Sequence, residues 1–203
     1  MSEDRTGAGS AAQARERAWL AARRYSPAQV ALARQVLTQI RGGMPLERAV
    51  RAHPQADGGY LPKHLLVHVY HQLVERGEWP AAPQLLAQIR MKPVRTLSGV
   101  TTITVLTAPY ACPGECLFCP TDSRMPKSYL PDEPGAMRAL QHAFEPWDQV
   151  TARLQALEAI GHPTEKVELL ILGGTWSAYP RAYQRWFVQR CLEALNGCEA
   201  PSL

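Results

Sequence analysis

A chain of 203 residues holds one substantial core, or a small domain joined to part of a larger one. Its 46% apolar and 20% charged residues describe a globular protein and exclude wholesale disorder. No apolar run approaches the roughly 20 residues of a membrane span, and the start has neither the apolar stretch nor the cleavage pattern of a secretory signal, so a cytoplasmic location without membrane attachment is expected. The net charge of +4 is unevenly shared: residues 1–97 carry 14 Lys+Arg against 7 Asp+Glu, and residues 98–203 carry 8 against 11. That asymmetry predicts a polyanion-binding arm on a neutral or acidic core, against the plainer alternative of an Arg-rich solvated helical surface.

Residues 1–25 are Ala/Arg-rich, and a short helix over Ala11–Arg24 without an apolar stripe predicts a flexible basic start. A helical, basic region follows over residues 26–97. Ser26 is an N-cap, Pro27 a first helical residue, and Val30, Ala33, Val36, Leu37 and Ile40 recur at helical spacing until Gly42-Gly43. A second short helix is predicted over Pro45–His53. A third starts at Pro62, with Leu65, Leu66, Val69 and Leu73 inward, and Pro83–Ile89 is a fourth. His64, His68 and His71 fall near one face of the third helix, but no carboxylate or cysteine accompanies them, so water or phosphate contact is the expected role rather than metal ligation.

The pattern changes at residue 98. Thr101 to Thr107 is β-branched and alternating, hence a strand. After a loop and a Pro-rich stretch, Ala136–Phe144 and Trp147–Ile160 read as helices, the latter bearing Val150, Leu154, Leu157 and Ile160 and closed by Gly161. Val167 to Leu172 is almost continuously apolar, as in a parallel-sheet strand buried on both faces, and Pro180–Leu195 is the last predicted helix. The fold class is therefore α/β: an all-helical front followed by the first strand–helix units of a parallel architecture, with functional loops at the C-terminal strand ends.

Five cysteines are an odd number, and three of them, Cys112, Cys116 and Cys119, crowd into eight residues, a spacing suited to a metal site and not to a disulfide framework. C-x₃-C-x₂-C with Phe118 before the last cysteine resembles the signature of radical S-adenosylmethionine (SAM) enzymes. The resemblance implies a [4Fe–4S] cluster held by the three thiolates, with its fourth iron open to the amino and carboxylate groups of SAM, which is cleaved to a 5′-deoxyadenosyl radical. Zinc is the rival metal, disfavoured because its sites pair cysteines from two knuckles and no second C-x₂-C occurs. Gly173-Gly174-Thr175, after the second strand, resembles the motif that contacts the methionyl ammonium, and Phe118 is placed beside the adenine; an ordinary tight turn and a buried core aromatic are the plainer alternatives. Cys191 and Cys198 are expected to be inert buried thiols.

The runs Lys92 to Val100, Cys112 to Pro120, Pro126-Lys127-Ser128-Tyr129, Glu133-Pro134, Gly161-His162, and Lys166-Val167-Glu168 through Trp176 together resemble the Elongator catalytic subunit family over roughly residues 26–203. The resemblance implies an enzyme that modifies the C5 position of wobble uridine in tRNA, giving a carboxymethyl-type product from SAM and acetyl-CoA, with residues 98–203 beginning an incomplete radical SAM (β/α) barrel. The basic front is then a tRNA-binding region, for which Arg23, Arg24, Arg34, Arg41, Lys63, Arg90, Lys92 and Arg95 are the candidate contacts, chosen for charge. An acetyl-CoA site and the rest of the barrel are expected on another segment or a second chain, and this chain alone is expected not to modify tRNA. The alternatives are a radical SAM enzyme of another reaction class and a zinc-containing, non-enzymatic tRNA-binding module.

Overall fold

The computed structural model describes residues 24–198, which divide into two compact units, residues 24–101 with 156–166 and residues 102–155 with 167–198. The predicted helix over Ala11–Arg24, and Arg23 with it, lies outside the described residues.

The first unit is helical. Helix α1 spans Pro27–Arg41, α2 Leu46–Ala52, α3 Lys63–Glu75 and α4 Pro83–Ile89. A capping box starts α1: Gln29 N–H donates to Ser26 Oγ at 3.2 Å, and Ser26 N–H donates to Gln29 Oε1 at 3.0 Å, so two backbone donors with no intrahelical acceptor are satisfied reciprocally. The helix stops where Gly43 enters the left-handed region at φ 95°. Ala33, Val36, Leu37 and Ile40 from α1 meet Leu65, Leu66, Val69 and Leu73 from α3 in one core, joined by Leu85 and Ile89 of α4. Each buried Leu or Ile there contributes about 1.5–3 kcal/mol over an exposed one.

The segment 156–166 closes this unit through polar contacts. Met91 N–H donates to Ile160 O at 3.0 Å, Arg90 Nε to Gly161 O at 2.7 Å, and Thr101 Oγ1 to Pro163 O at 2.5 Å, while Thr96 Oγ1 lies 2.9 Å from His162 Nδ1. Gly161 has φ +85°, and a Cβ on it would meet Leu86 Cδ1 at 3.2 Å, so conformation and space both favour glycine.

Two parallel strands, β1 (Thr101–Leu106) and β2 (Val167–Leu172), form the sheet. Their register is shown by Thr101 N–H donating to Lys166 O and Thr107 N–H to Leu172 O, both at 2.9 Å. Helices α5 (Pro134–Gln141), α6 (Pro146–Glu158) and α7 (Arg181–Asn196) complete the chain. In the second unit Leu106, Met125, Ala136, Ala139 and Phe144 form a small core, and Phe187 and Cys191 of α7 are fully buried. Gln149, itself buried, accepts from Leu106 N–H at 2.9 Å and donates to Leu106 O at 3.0 Å. Its amide thereby supplies both hydrogen bonds that a further strand would give this residue.

Two sequence expectations are corrected. Strand β2 is not buried on both faces: Leu170 is 39% exposed and Glu168 is open to solvent, because among the described residues β2 pairs with β1 alone. Cys198 is exposed and not buried, since Gly197 turns the chain out of α7 at φ 64°.

Candidate active site

Both sequence motifs leave the C-terminal ends of the two strands in the second unit. The end of β1 is fixed first. Tyr179 Oη donates its single proton to Ala108 O at 2.7 Å, so the Thr107 hydroxyl, 2.8 Å away, donates to Tyr179 Oη; Ala108 N–H donates to Tyr183 Oη at 2.9 Å. Tyr110, Tyr179 and Tyr183 stack successively with ring centroids 5.0 Å apart in each pair. The segment 107–110, from which the cysteine loop departs, is thus held by three aromatic rings. Burial pushes the Tyr179 phenol above its ordinary value, opposed by the Thr107 hydroxyl and the Gly174 amide, and burial likewise raises Tyr183.

The loop then curls around Gly114. A Cβ on that residue would lie 3.7 Å from Cys112 Sγ and 3.8 Å from Cys116 Sγ, and Gly114 N–H donates to Cys112 Sγ at 3.4 Å. Cys112 Sγ also lies 3.2 Å from Thr175 Oγ1. These contacts, the Thr175 side chain foremost, the Gly114 amide next and the Lys127 charge adding to them, hold the Cys112 thiol below its usual range and favour thiolate. Cys119 N–H donates to Cys116 O at 3.2 Å, and Cys119 Sγ sits 3.0 Å from Ser128 Oγ. Among the described residues no three His, Cys, Asp or Glu side chains are drawn together as a metal site. The donor set itself fits a soft metal centre: three thiols on one short loop, with no histidine among them and a single carboxylate, Glu115, between the first two.

At the end of β2 the glycines are packed differently. A Cβ on Gly173 would fall 2.0 Å from Thr107 Oγ1, whereas one on Gly174 would meet Lys127 Cβ at an ordinary 3.6 Å. Gly173 is needed by the packing of the strand ends, and Gly174 leaves backbone accessible beside Lys127. Phe118 is 93% exposed, which excludes the buried-core alternative for that ring.

The basic candidates among the described residues lie in the helical unit and differ in what they are committed to. Arg34 pairs with Glu78 at 2.5 Å, Arg41 lies over the Trp79 ring at 4.8 Å, and Arg90, half-buried, is committed to Gly161 and to Thr96 Oγ1 at 3.4 Å. Arg24, Lys63, Lys92 and Arg95 are exposed, Lys92 in the left-handed region at φ 48°. His64 and His68 pack against Tyr25 with centroids at 5.8 and 5.1 Å, and His71 is edge-on to Tyr70 at 5.6 Å. Thr107, Lys127 and Ser128 carry no assigned role in the sequence reading; the available signals were a hydroxyl at a strand end and the Lys-Ser run.

No helix among the described residues is long and apolar enough to cross a membrane. No family model matches the chain. Similar proteins do. Over 125 residues, 59% of this chain and 23% of the relative, it is 48% identical to the tRNA uridine(34) acetyltransferase of Methanocaldococcus jannaschii. The protein of that name from Dehalococcoides mccartyi is 46% identical over 109 residues, 54% of this chain and 24% of its own length. Human Elongator complex protein 3 is 34% identical over 124 residues, 56% of this chain and 23% of its own length. The chain thus spans just under a quarter of the length of these relatives, and over that stretch it is a homologue of the tRNA uridine(34) acetyltransferases and of Elongator complex protein 3, the family that its motifs resemble.

Proposed function

We propose that this chain carries the radical SAM part of a tRNA wobble-uridine modifying enzyme, with a [4Fe–4S] cluster on Cys112, Cys116 and Cys119, SAM on Gly173, Gly174 and Thr175 with Phe118 against the adenine, and tRNA on the basic helical unit. The observation that carries the reading is the 3.2 Å approach of Cys112 Sγ to Thr175 Oγ1, which brings together two motifs 63 residues apart. The similarity to tRNA uridine(34) acetyltransferases supports a tRNA substrate and acetyl transfer; acetyl-CoA is the proposed donor, and no residue here is assigned to it. In this reading the two-stranded sheet is the start of an incomplete (β/α) barrel, completed by another segment or a second chain, and the product is of the carboxymethyl type.

When bound, the cluster and SAM supply a 5′-deoxyadenosyl radical. The chain's own residues perform the positioning. Gly114 and Thr175 stabilise the Cys112 thiolate, Cys119, now 3.0 Å from Ser128 Oγ, would be the third thiolate to hold the cluster, and the tyrosine-locked end of β1 keeps the loop in register with β2. Gly174 offers backbone at close range, which a side chain would block.

Anaerobic reconstitution with iron and sulfide tests this. The expected product holds about three to four irons with matching sulfide and the broad absorption of a cubane cluster. Alanine at Cys112, Cys116 or Cys119 abolishes it, while Cys191→Ala and Cys198→Ala do not. Stoichiometric zinc without sulfide overturns the cluster in favour of a zinc module, and equal loss from all five variants overturns the ligand assignment.

A further inference from the structure

The segment Pro126-Lys127-Ser128 is pressed into the site between the two motifs. At Gly174 a Cβ would be 3.6 Å from Lys127 Cβ and 3.7 Å from Lys127 N, and the next residue, Ser128, places its Oγ 3.0 Å from Cys119 Sγ. Lys127 is half-buried, and its ammonium donates to a neutral group, Thr121 Oγ1, at 2.6 Å. No carboxylate among the described residues pairs with it. The nearby Asp122 is occupied, accepting from Arg124 Nε at 3.0 Å and from Arg124 Nη2 at 2.7 Å. Lys127, Thr121, Ser123 and Tyr110, with the Arg124-paired Asp122 and the apolar Pro109 and Met125, line an open cavity of about 320 Å³ of mixed polarity.

An ammonium with one neutral hydrogen-bond partner and no paired carboxylate retains two donors, beyond its longer-range attraction for the Cys112 thiolate. An anion is the ligand that takes those donors and complements the charge. The position selects which anion, because Lys127 packs against Gly174, beside the backbone assigned above to the methionyl ammonium. In an α-amino acid the ammonium and the carboxylate sit on one carbon, so the groups that hold them must be neighbours. We propose that Lys127 binds the carboxylate of the methionyl group of SAM, one oxygen accepting a charge-assisted hydrogen bond from Nζ, and so selects ligands that keep an intact amino-acid end. This inference rests on the reading in the preceding subsection.

The test measures binding, not turnover. Full-length chain, reconstituted anaerobically, is compared with Lys127→Met and Lys127→Arg by equilibrium dialysis against SAM and against decarboxylated SAM, with iron and sulfide determined on each sample. Since a hydrogen bond to a charged group is worth about 1.5–3 kcal/mol, Lys127→Met is expected to weaken SAM about tenfold or more. Decarboxylated SAM should bind wild type and Lys127→Met alike, and Lys127→Arg should restore most of the affinity for SAM. Cluster content and thermal unfolding should be unchanged in both variants. Equal SAM affinity in loaded wild type and Lys127→Met overturns the inference alone, as does equal weakening of both ligands, which would mark Lys127 as a general counter-charge. Loss of tRNA affinity with SAM affinity intact would make its anion a phosphate and also overturn it. Wild type that takes up no cluster, or takes it up and binds no SAM, overturns the cofactor reading and this inference with it.

Discussion

Gly173 and Thr107 are in such close register that a Cβ on the glycine would lie 2.0 Å from the threonine hydroxyl, which itself donates to Tyr179. The ends of the two strands, and therefore the two motifs, are spaced by that missing side chain. Gly173→Ala must push Thr107 off Tyr179 or open the strand ends, and overpacking of this kind costs about 1–3 kcal/mol. Denaturant unfolding of Gly173→Ala, Thr107→Ala and the double variant checks this: the cost of the glycine change should shrink in the Thr107→Ala background, and strict additivity would show that the contact is not its cause.

Gly174→Ala should behave in the opposite way. Its Cβ finds room at 3.6 Å from Lys127, and its backbone is not left-handed, so stability should change by no more than about 0.5 kcal/mol. Affinity for SAM should nevertheless fall, because the added methyl stands where ligand and backbone approach. A variant that binds SAM normally would remove Gly174 from the proposed site.

Gln149→Leu should cost stability through a different route. It strands Leu106 N–H and Leu106 O inside the second unit, at about 1–3 kcal/mol for each unsatisfied group. Hydrogen exchange at the Leu106 amide should accelerate well beyond its strand neighbours. Unchanged protection there would mean that a water or another side chain replaces the glutamine.

Alkaline pH should destabilise the fold through Cys191. Burial pushes its thiol up from 9.0 to about 12, so between these values the unfolded chain has lost a proton that the folded one keeps. Stability therefore falls as pH rises from about 9 towards 12. Tyr179 and Tyr183, also raised by burial, act with the same sign. Denaturation midpoints at pH 8, 9 and 10 should fall in wild type and fall less in Cys191→Ala. Parallel lines for the two proteins would show that the thiol does not titrate on unfolding. At pH 8 iodoacetamide should label exposed Cys116 and Cys198 in the native state and spare Cys191.

The basic residues should separate into two classes. Charge reversal at Lys63, Lys92 or Arg95, all exposed, should weaken tRNA binding and flatten its salt dependence without moving the melting temperature. Arg90→Gln should lower the melting temperature instead, since its guanidinium holds Gly161 and Thr96. If a fragment of residues 98–203 bound tRNA as well as the full chain, the helical unit would not be the binding arm.

Much of the helical unit was legible because its signals are local. Ser26, Pro27 and Gly42-Gly43 bracket α1, and the Pro83–Ile89 helix has the limits that the sequence predicts, since caps, proline and glycine act within one turn. The helix predicted from Ala136 instead begins at Pro134, where proline suits a first helical position, and it ends before Phe144, which lies in the left-handed region at φ 59°. The cysteine spacing named a candidate metal loop, because ligands for one ion can come from one short segment. Sequence could not show that Cys112 meets Thr175, that Lys127 lies on Gly174, or that Gly173 is demanded by Thr107, since each joins residues that only the parallel pairing of β1 and β2 brings together. Nor could it separate Arg90 from Lys92, or Cys191 from Cys198: the residue types are alike, and which one is turned inward depends on what the rest of the chain packs against it. The apolar run Val167 to Leu172 makes the same point most plainly, for its composition fixes a strand, while its burial depends on how many strands lie beside it, a quantity carried by contacts distant in sequence.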